Sequence, residues 1–291
     1  MSEHAPDPSV AHFGPDGMRR IPLPSTYGVG LSEVARQTLR DVGVPMHVEP
    51  YFSAAGETDG LTLGAFTGHR GLVMQGERAD WIRVGTDRLT HICVRPGGEV
   101  QAVFLARPEP DLFVSSDVTA FTASLAALDR HLPVIAASTS LPDAAAAFRE
   151  LNAELRQIDP GAFESRENWW PRVLEDVRHT LNFPFSSAFE YVDDAGEKQI
   201  ITAETGPGRP HPEEILWQQL AAAGVAPEQV RRVYCELEPC MMPGHYCAVW
   251  MQAAFPQAEF THSFDYGDTA DSREEGLKEL ITYAAQQAGQ Q

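Results

Sequence analysis

Glu236-Leu237-Glu238-Pro239-Cys240, with Cys247 behind it and His211-Pro212-Glu213 ahead of it, is the stretch from which this 291-residue chain is best read. Val230 to Leu237 has the composition of a strand. Alternation puts Cys235 and Leu237 on one face of it and Glu236 and Glu238 on the other. Pro239 has no N–H to give to a ladder, so the strand ends there and Cys240 is presented at its C-terminal end. Pro243-Gly244 restarts the chain, and Cys247 enters the first turn of the next helix, where a thiol's pKa is lowered. Upstream, Pro212 suits the first position of a helix, because its missing N–H would have no partner there. Glu213 and Glu214 then fall in the first turn, where the helix dipole favours carboxylates. His211 and Glu213 can thus face one site.

Working outward, the pattern predicts a helix from Trp169 to Leu181, then strands at Ala188–Val192 and Gln199–Ala203 joined by the turn Asp193-Asp194-Ala195-Gly196. A loop from Gly206 to Pro210 leads into a helix over Pro212–Ala223. The strand Val230–Leu237, a helix from about His245 to Phe255, a strand Glu259–Tyr266 and a helix Ser272–Gln287 follow. The N-terminal half reads differently. Residues 1–19, rich in Pro, Gly, Asp and His, are expected to be disordered. Ser32 to Val42 is a predicted helix with Gly43 as its stop. Strands are expected at Gly71–Met74, Trp81–Gly85, His91–Val94 and Val100–Ala106, with Arg95-Pro96-Gly97-Gly98 as a hairpin turn. Phe113-Val114-Ser115-Ser116 leads into a helix over Val118–Leu132. This half is read as α+β around an antiparallel sheet.

Composition narrows the function classes. The chain is long enough for two domains. No apolar run approaches the roughly 20 residues of a membrane span, and the N-terminus lacks a basic start followed by an apolar core. Both features point to a cytoplasmic protein without a membrane role. Of the four cysteines, Cys235, Cys240 and Cys247 lie within 13 positions. Without a secretion signal, such clustering favours metal binding or catalysis over disulfides. Cys93 and Cys235 are read as core residues. The net charge is −19. Up to residue 180 there are 24 acidic and 16 basic residues, net −8; beyond it there are 17 and 6, net −11. Tight nonspecific nucleic-acid binding needs a cationic face, and Arg231-Arg232 is the one adjacent basic pair in the second part.

Two resemblances follow from these words. Trp81-Ile82-Arg83-Val84-Gly85-Thr86-Asp87, His91-Ile92-Cys93, Gly97-Gly98-Glu99-Val100, and Phe113-Val114-Ser115-Ser116 with Phe121 resemble the SUKH superfamily, in particular SUKH-4-type immunity-like domains. Ile158-Asp159-Pro160 and Trp169-Trp170 are candidate extensions of the match. The expected domain spans 20–180, its members bind protein partners, and no catalytic residue carries over. The order helix, strand, strand, helix, strand, helix, strand, helix, with His-x-Glu and Pro-Cys in place, resembles the zinc-dependent nucleobase deaminases of bacterial polymorphic toxins. The expected domain is an α/β, three-layer, cytidine-deaminase-like fold over 181–291, with the helix 168–181 shared between the two domains or not.

That second resemblance implies Zn²⁺ held by His211, Cys240 and Cys247, a fourth position left open, and Glu213 as the catalytic proton carrier. Phe185, Tyr246, Phe264 and Tyr266 are the aromatic candidates for stacking on the base. The substrate would be a base in single-stranded nucleic acid or in a nucleotide. The toxin-type likeness favours cytosine, whereas Leu237-Glu238-Pro239-Cys240 resembles the tRNA adenosine deaminases. The sequence departs from the family in one place: six residues, Met241 to Tyr246, separate the cysteines instead of two. His245, inside that gap, is an alternative ligand to Cys247. A binding or immunity protein with a non-catalytic, metal-free deaminase fold and a deaminase of free nucleosides or nucleotides are the other readings. A second His-x-Glu string, His47-Val48-Glu49, has no cysteine partner and is read as structural.

Overall fold

Why a strand stops at Leu237 and a helix starts at Pro212 is visible in the computed structural model, which describes residues 7–105, 109–182, 184–206 and 209–288. The chain divides into two units: residues 1–134 with 146–171, and residues 135–145 with 172–291. The division falls inside three helices, Val118–Ala137, Leu141–Ile158 and Trp169–Asn182. Among the described residues no helix is long and apolar enough to cross a membrane.

In the first unit a six-stranded antiparallel meander runs in chain order through His47–Val48, Phe52–Ala54, Ile82–Thr86, His91–Val94, Val100–Val103 and Leu112–Ser115. The hairpin at Arg95 closes as its composition predicts: Arg95 N–H donates to Glu99 O at 3.0 Å, and Gly98 takes φ +97°. The two tryptophans read as a possible extension belong to this core. Trp169 and Trp170 are buried and meet edge to face, with centroids 4.8 Å apart. Trp169 Nε1 donates to Asp87 at 2.7 Å and Trp170 Nε1 to the Ser115 hydroxyl at 3.3 Å. Asp159 accepts from both Ser116 N–H and Ser116 Oγ at 2.7 Å.

Two sequence expectations need correction here, and one helix was not foreseen. Gly71–Met74 is a loop. The Gly71 N–H donates to Gly68 O and the Leu72 N–H to Thr67 O, closing the helix Leu63–Gly68, so those donors serve a helix end rather than a ladder. Residues 7–19 are ordered: Asp7 caps the helix Pro8–Phe13, and Met18–Arg19 pairs with Val44–Pro45. Residues 1–6, and Ala106 at the expected end of the Val100 strand, lie outside the described residues. The helix Leu141–Ile158 was missed. Its buried Ala144, Ala147, Leu151 and Leu155 follow helical spacing, but two of the four are alanines, which carry a weak hydrophobic signal.

The second unit holds a mixed sheet in the order Lys198–Glu204, Ser186–Val192, Val230–Leu237, Glu259–Phe264. The first two pairings are antiparallel and the last is parallel. A parallel pair needs a crossover connection, and the helix Cys247–Ala254 supplies it. Buried Phe189, Leu216, Leu220, Val233, Met251 and Phe255 fill one core between sheet and helices. The C-terminal end of Val230–Leu237 is followed in the chain by the start of the helix Cys247–Ala254, and His211 caps the start of the helix Pro212–Ala222.

Candidate metal centre

His211 is the N-cap of the helix Pro212–Ala222, with extended backbone at φ −64°, ψ 156°. The Glu214 carboxylate reaches back to accept the His211 N–H at 2.8 Å, one half of a capping box. The imidazole is thereby fixed at the helix entry, in the field of the N-terminus. Cys240 follows the strand end as its proline dictates. Cys247 opens the next helix, and the Ala248 N–H at that helix start donates to Cys240 O at 3.1 Å, tying the two cysteine segments together.

These three residues converge. His211 Nδ1 lies 3.5 Å from Cys240 Sγ and 3.5 Å from Cys247 Sγ. The three donor atoms lie within 4.8 Å of one another, all buried, and form a set that could hold a metal ion. Burial opposes ionisation of both thiols. Even so, Cys240, which accepts from the Cys247 thiol and faces His211, is drawn well below the ordinary thiol pKa. Cys247, buried beside that thiolate, is pushed well above it. For His211, burial works against the proton, but Cys240 and Asp176 outweigh it and raise the ring well above its ordinary value. A cation in the site would replace the shared proton.

Glu213 is buried one residue into the helix. Ser187 Oγ donates to its Oε1 at 2.7 Å, and its other oxygen, Oε2, is buried with no hydrogen-bond partner among the described residues. A cavity of about 10 Å³ beside it, room for about one water molecule, is lined by Glu213, His211, Cys240, Phe185, His179 and Tyr266 among others.

Of the aromatic candidates, Phe185 lines the cavity edge-on to His211, with centroids 6.0 Å apart. Tyr266 also lines it, its hydroxyl 2.6 Å from His179 Nδ1. Burial pushes His179 down to about 3 and raises the Tyr266 phenol, so both are neutral. Tyr246 and Phe264 are not among the cavity residues. Tyr246 is the left-handed cap of the helix Cys247–Ala254, at φ +47°, and Phe264 packs against Tyr283. His245 faces two carboxylates: Nδ1 is 2.7 Å from Glu214 and Nε2 is 3.2 Å from Asp176; with Asp176 and His211 it forms a second set of donors that could hold a metal ion. His47 is exposed, 3.3 Å from Ser53 Oγ. Cys235 is buried and outside the donor cluster, yet its thiol sits against Glu213 and Ser187. Burial, with that carboxylate beside it, raises its pKa.

Sequence reasoning missed Asp176 and Ser187. Asp176 lies on the helix Trp169–Asn182, 3.0 Å from His211 Nε2. Burial would raise its pKa, but His245 and His211 hold it well below the usual carboxylate range. A lone aspartate in an amphipathic helix carries no signal of its partners.

A family model described as SUKH-4 immunity protein matches residues 9–176, and one described as Xanthomonas-like deaminase matches residues 184–283. No match was found among curated proteins or solved structures.

Proposed function

The chain belongs to the SUKH-4 immunity protein family, with a deaminase-family domain following the SUKH-4 domain, and from that premise we propose that its second domain is a zinc-dependent nucleobase deaminase. The observation that carries this reading is the convergence of His211, Cys240 and Cys247 beside the unsatisfied Glu213 Oε2. With zinc–sulfur bonds of about 2.3 Å and zinc–nitrogen bonds of about 2.0–2.1 Å, a tetrahedral centre has nitrogen–sulfur edges of about 3.5 Å. Both Nδ1–Sγ distances are 3.5 Å. Two thiolates and one imidazole suit zinc by softness. The helix and strand order, with a crossover helix between parallel strands, supports a three-layer cytidine-deaminase-like arrangement.

Bound zinc would lower the pKa of a water molecule and so supply a nucleophile near neutral pH. The protein's part is proton traffic and orientation. Glu213 Oε2 accepts a proton from the attacking water, while the Ser187 hydroxyl holds Oε1 and fixes the carboxylate plane. The water oxygen adds to the amidine carbon of the base and Glu213 passes that first proton to the ring nitrogen; it then takes the proton of the new hydroxyl and gives it to the amine, which leaves as ammonia while the carbonyl forms. A water-sized cavity does not admit a base, so the ring must widen the site between Phe185, His179 and Tyr266 as it enters. Cytosine, in single-stranded nucleic acid or in a nucleotide, is the favoured substrate, from the toxin-type likeness. The SUKH-4 domain is read as the binder of a protein partner in an immunity or toxin system.

Zinc stoichiometry of the purified chain and of the Cys240→Ala, Cys247→Ala double variant is the first test. The parent should hold one zinc and the double variant none; a parent that binds none overturns the reading. With zinc present, single- and double-stranded DNA, RNA, cytidine and adenosine are then offered with Glu213→Gln as control. Activity surviving in Glu213→Gln would remove that residue from its role.

A further inference from the structure

The spacer Met241–Tyr246 that widens the cysteine gap is folded around one side chain. The His245 and Tyr246 N–H groups both donate to Met242 O, at 3.1 and 3.0 Å. Gly244 at φ +79° and Tyr246 at φ +47° turn the chain sharply, and left-handed backbone at a tyrosine is uncommon. The result is a His245 that is 1 % exposed and lies flat on His211, ring centroids 3.7 Å apart and planes 4° apart.

Its partners are the partners of His211. Asp176 receives His211 Nε2 on Oδ1 and His245 Nε2 on Oδ2. Glu214 Oε2 receives the His211 backbone N–H at 2.8 Å and His245 Nδ1 at 2.7 Å. The four residues close a ring. One carboxylate fixes the far nitrogen of the His211 imidazole, the other fixes its backbone, and His245 braces both carboxylates. Asp176 and Glu214 are buried, and buried carboxylates stay in place only while paired.

We infer that His245 is a positioning residue of the metal centre: carried by the long spacer, it holds His211 toward Cys240 and Cys247 through Asp176 and Glu214, and is not itself a ligand. The inference rests on the zinc reading above. Outer partners of a metal-bound histidine set its tautomer and ring direction, and losing one costs about 10–100-fold in metal affinity.

The test uses the full chain, metal-free, titrated with zinc against a chromophoric chelator and separately with Co²⁺. His245→Gln and Asp176→Asn are compared with the parent, and circular dichroism of the metal-free proteins checks folding. His245→Gln should still take one metal, with zinc affinity lowered about 10–100-fold and the Co²⁺ thiolate charge-transfer band retained. Combined with Asp176→Asn, the loss should be smaller than the product of the two single losses, because both act on one ring. Should His245→Gln fail to fold, Asp176→Asn alone carries the same expectation. Affinity within twofold of the parent in the variants overturns the inference and leaves the zinc reading standing. Cys247→Ala binding as tightly as the parent, while His245→Gln changes the cobalt spectrum, would make His245 a ligand and equally overturn it. A parent that binds neither metal overturns the zinc reading, and this inference with it.

Discussion

Ser187 Oγ donates to Glu213 Oε1 at 2.7 Å, so one oxygen of the buried carboxylate is held while Oε2 has no hydrogen-bond partner among the described residues. Ser187 stands on the strand Ser186–Val192 and Glu213 in the first turn of the helix Pro212–Ala222; the hydroxyl therefore locks a helix side chain to the sheet. If Glu213 carries the proton, Ser187→Ala should lower turnover about 10-fold, the worth of one hydrogen bond to a charged group. Zinc content should be unchanged, because Ser187 touches no donor of the cluster. Glu213→Gln should lower turnover by about 10²–10⁴. Single-turnover rates at saturating substrate, with metal analysis of the same samples, check both. Equal rates in Ser187→Ala and parent would show that the carboxylate is oriented by something else.

What the sequence made legible is what backbone chemistry fixes locally. Pro239 ends a strand wherever it stands in one, so Cys240 is at the strand end; Pro212 starts a helix, so His211 caps it. Asp176, 35 residues before His211, was not readable, since its helix announces itself through Trp170, Val173 and Leu174 and says nothing of what its polar face will meet. His245 was read as an alternative ligand. Its direction depends on the left-handed turn at Tyr246, which a non-glycine residue does not announce. Strand alternation points Cys235 away from the donor cluster, and its sulfur is not among the three clustered donor atoms. That same alternation puts it under Glu213, a neighbour visible only once strand Ser186–Val192 is paired beside it.

The first unit should lose stability as pH falls from neutrality. Arg83 Nε donates to His91 Nδ1 at 2.9 Å, which requires an unprotonated Nδ1. Burial, with Arg83 and Arg70 nearby, pushes His91 down to about 4 from 6.5. Above pH 6.5 the ring is neutral in both folded and unfolded chains. Below it the unfolded chain takes up a proton that the folded one refuses until about pH 4, so stability drops across that window, by roughly 1–3 kcal/mol. His179, at about 3, adds a slope of the same sign in the other unit. His91→Asn, which keeps an acceptor but cannot titrate, should therefore flatten the slope in part. Urea unfolding of parent and variant from pH 7.5 to 4.5 measures it; identical slopes would refute the assignment.

Trp169 and Asp87 test whether the scattered words of the N-terminal half make one core. The Trp169 Nε1 donates to Asp87 Oδ2 at 2.7 Å, and the Thr90 N–H donates to Oδ1 at 2.9 Å, all buried. Trp169→Phe removes a donor from a buried carboxylate and leaves a gap, and should cost about 2–4 kcal/mol. Asp87→Asn, which lowers the charge left behind, should make the double variant more stable than the two single losses added together. A double-variant cycle in urea reads this coupling directly, and strict additivity would mean the bond contributes nothing specific.

Gly276 offers a change whose usual sign is reversed. In the interior of a helix, glycine to alanine normally stabilises by about 0.5–1 kcal/mol. Gly276 lies in the helix Ala270–Ala288, where a Cβ would stand 1.7 Å from Asp265 O, a backbone atom that cannot rotate away. The segment it would displace continues into Tyr266 and Gly267, whose N–H groups both donate to Glu238 Oε2 at 3.0 Å, one residue before Pro239. Gly276→Ala should therefore destabilise by about 1–3 kcal/mol and move Tyr266 away from His179, weakening substrate binding more than zinc binding. Exposed Glu279→Ala on the same helix should stay within about 0.5 kcal/mol of the parent. Thermal unfolding of both variants, with zinc titration of Gly276→Ala, decides it. A Gly276→Ala protein as stable as the parent would mean that the helix does not pack this closely on the Asp265 carbonyl.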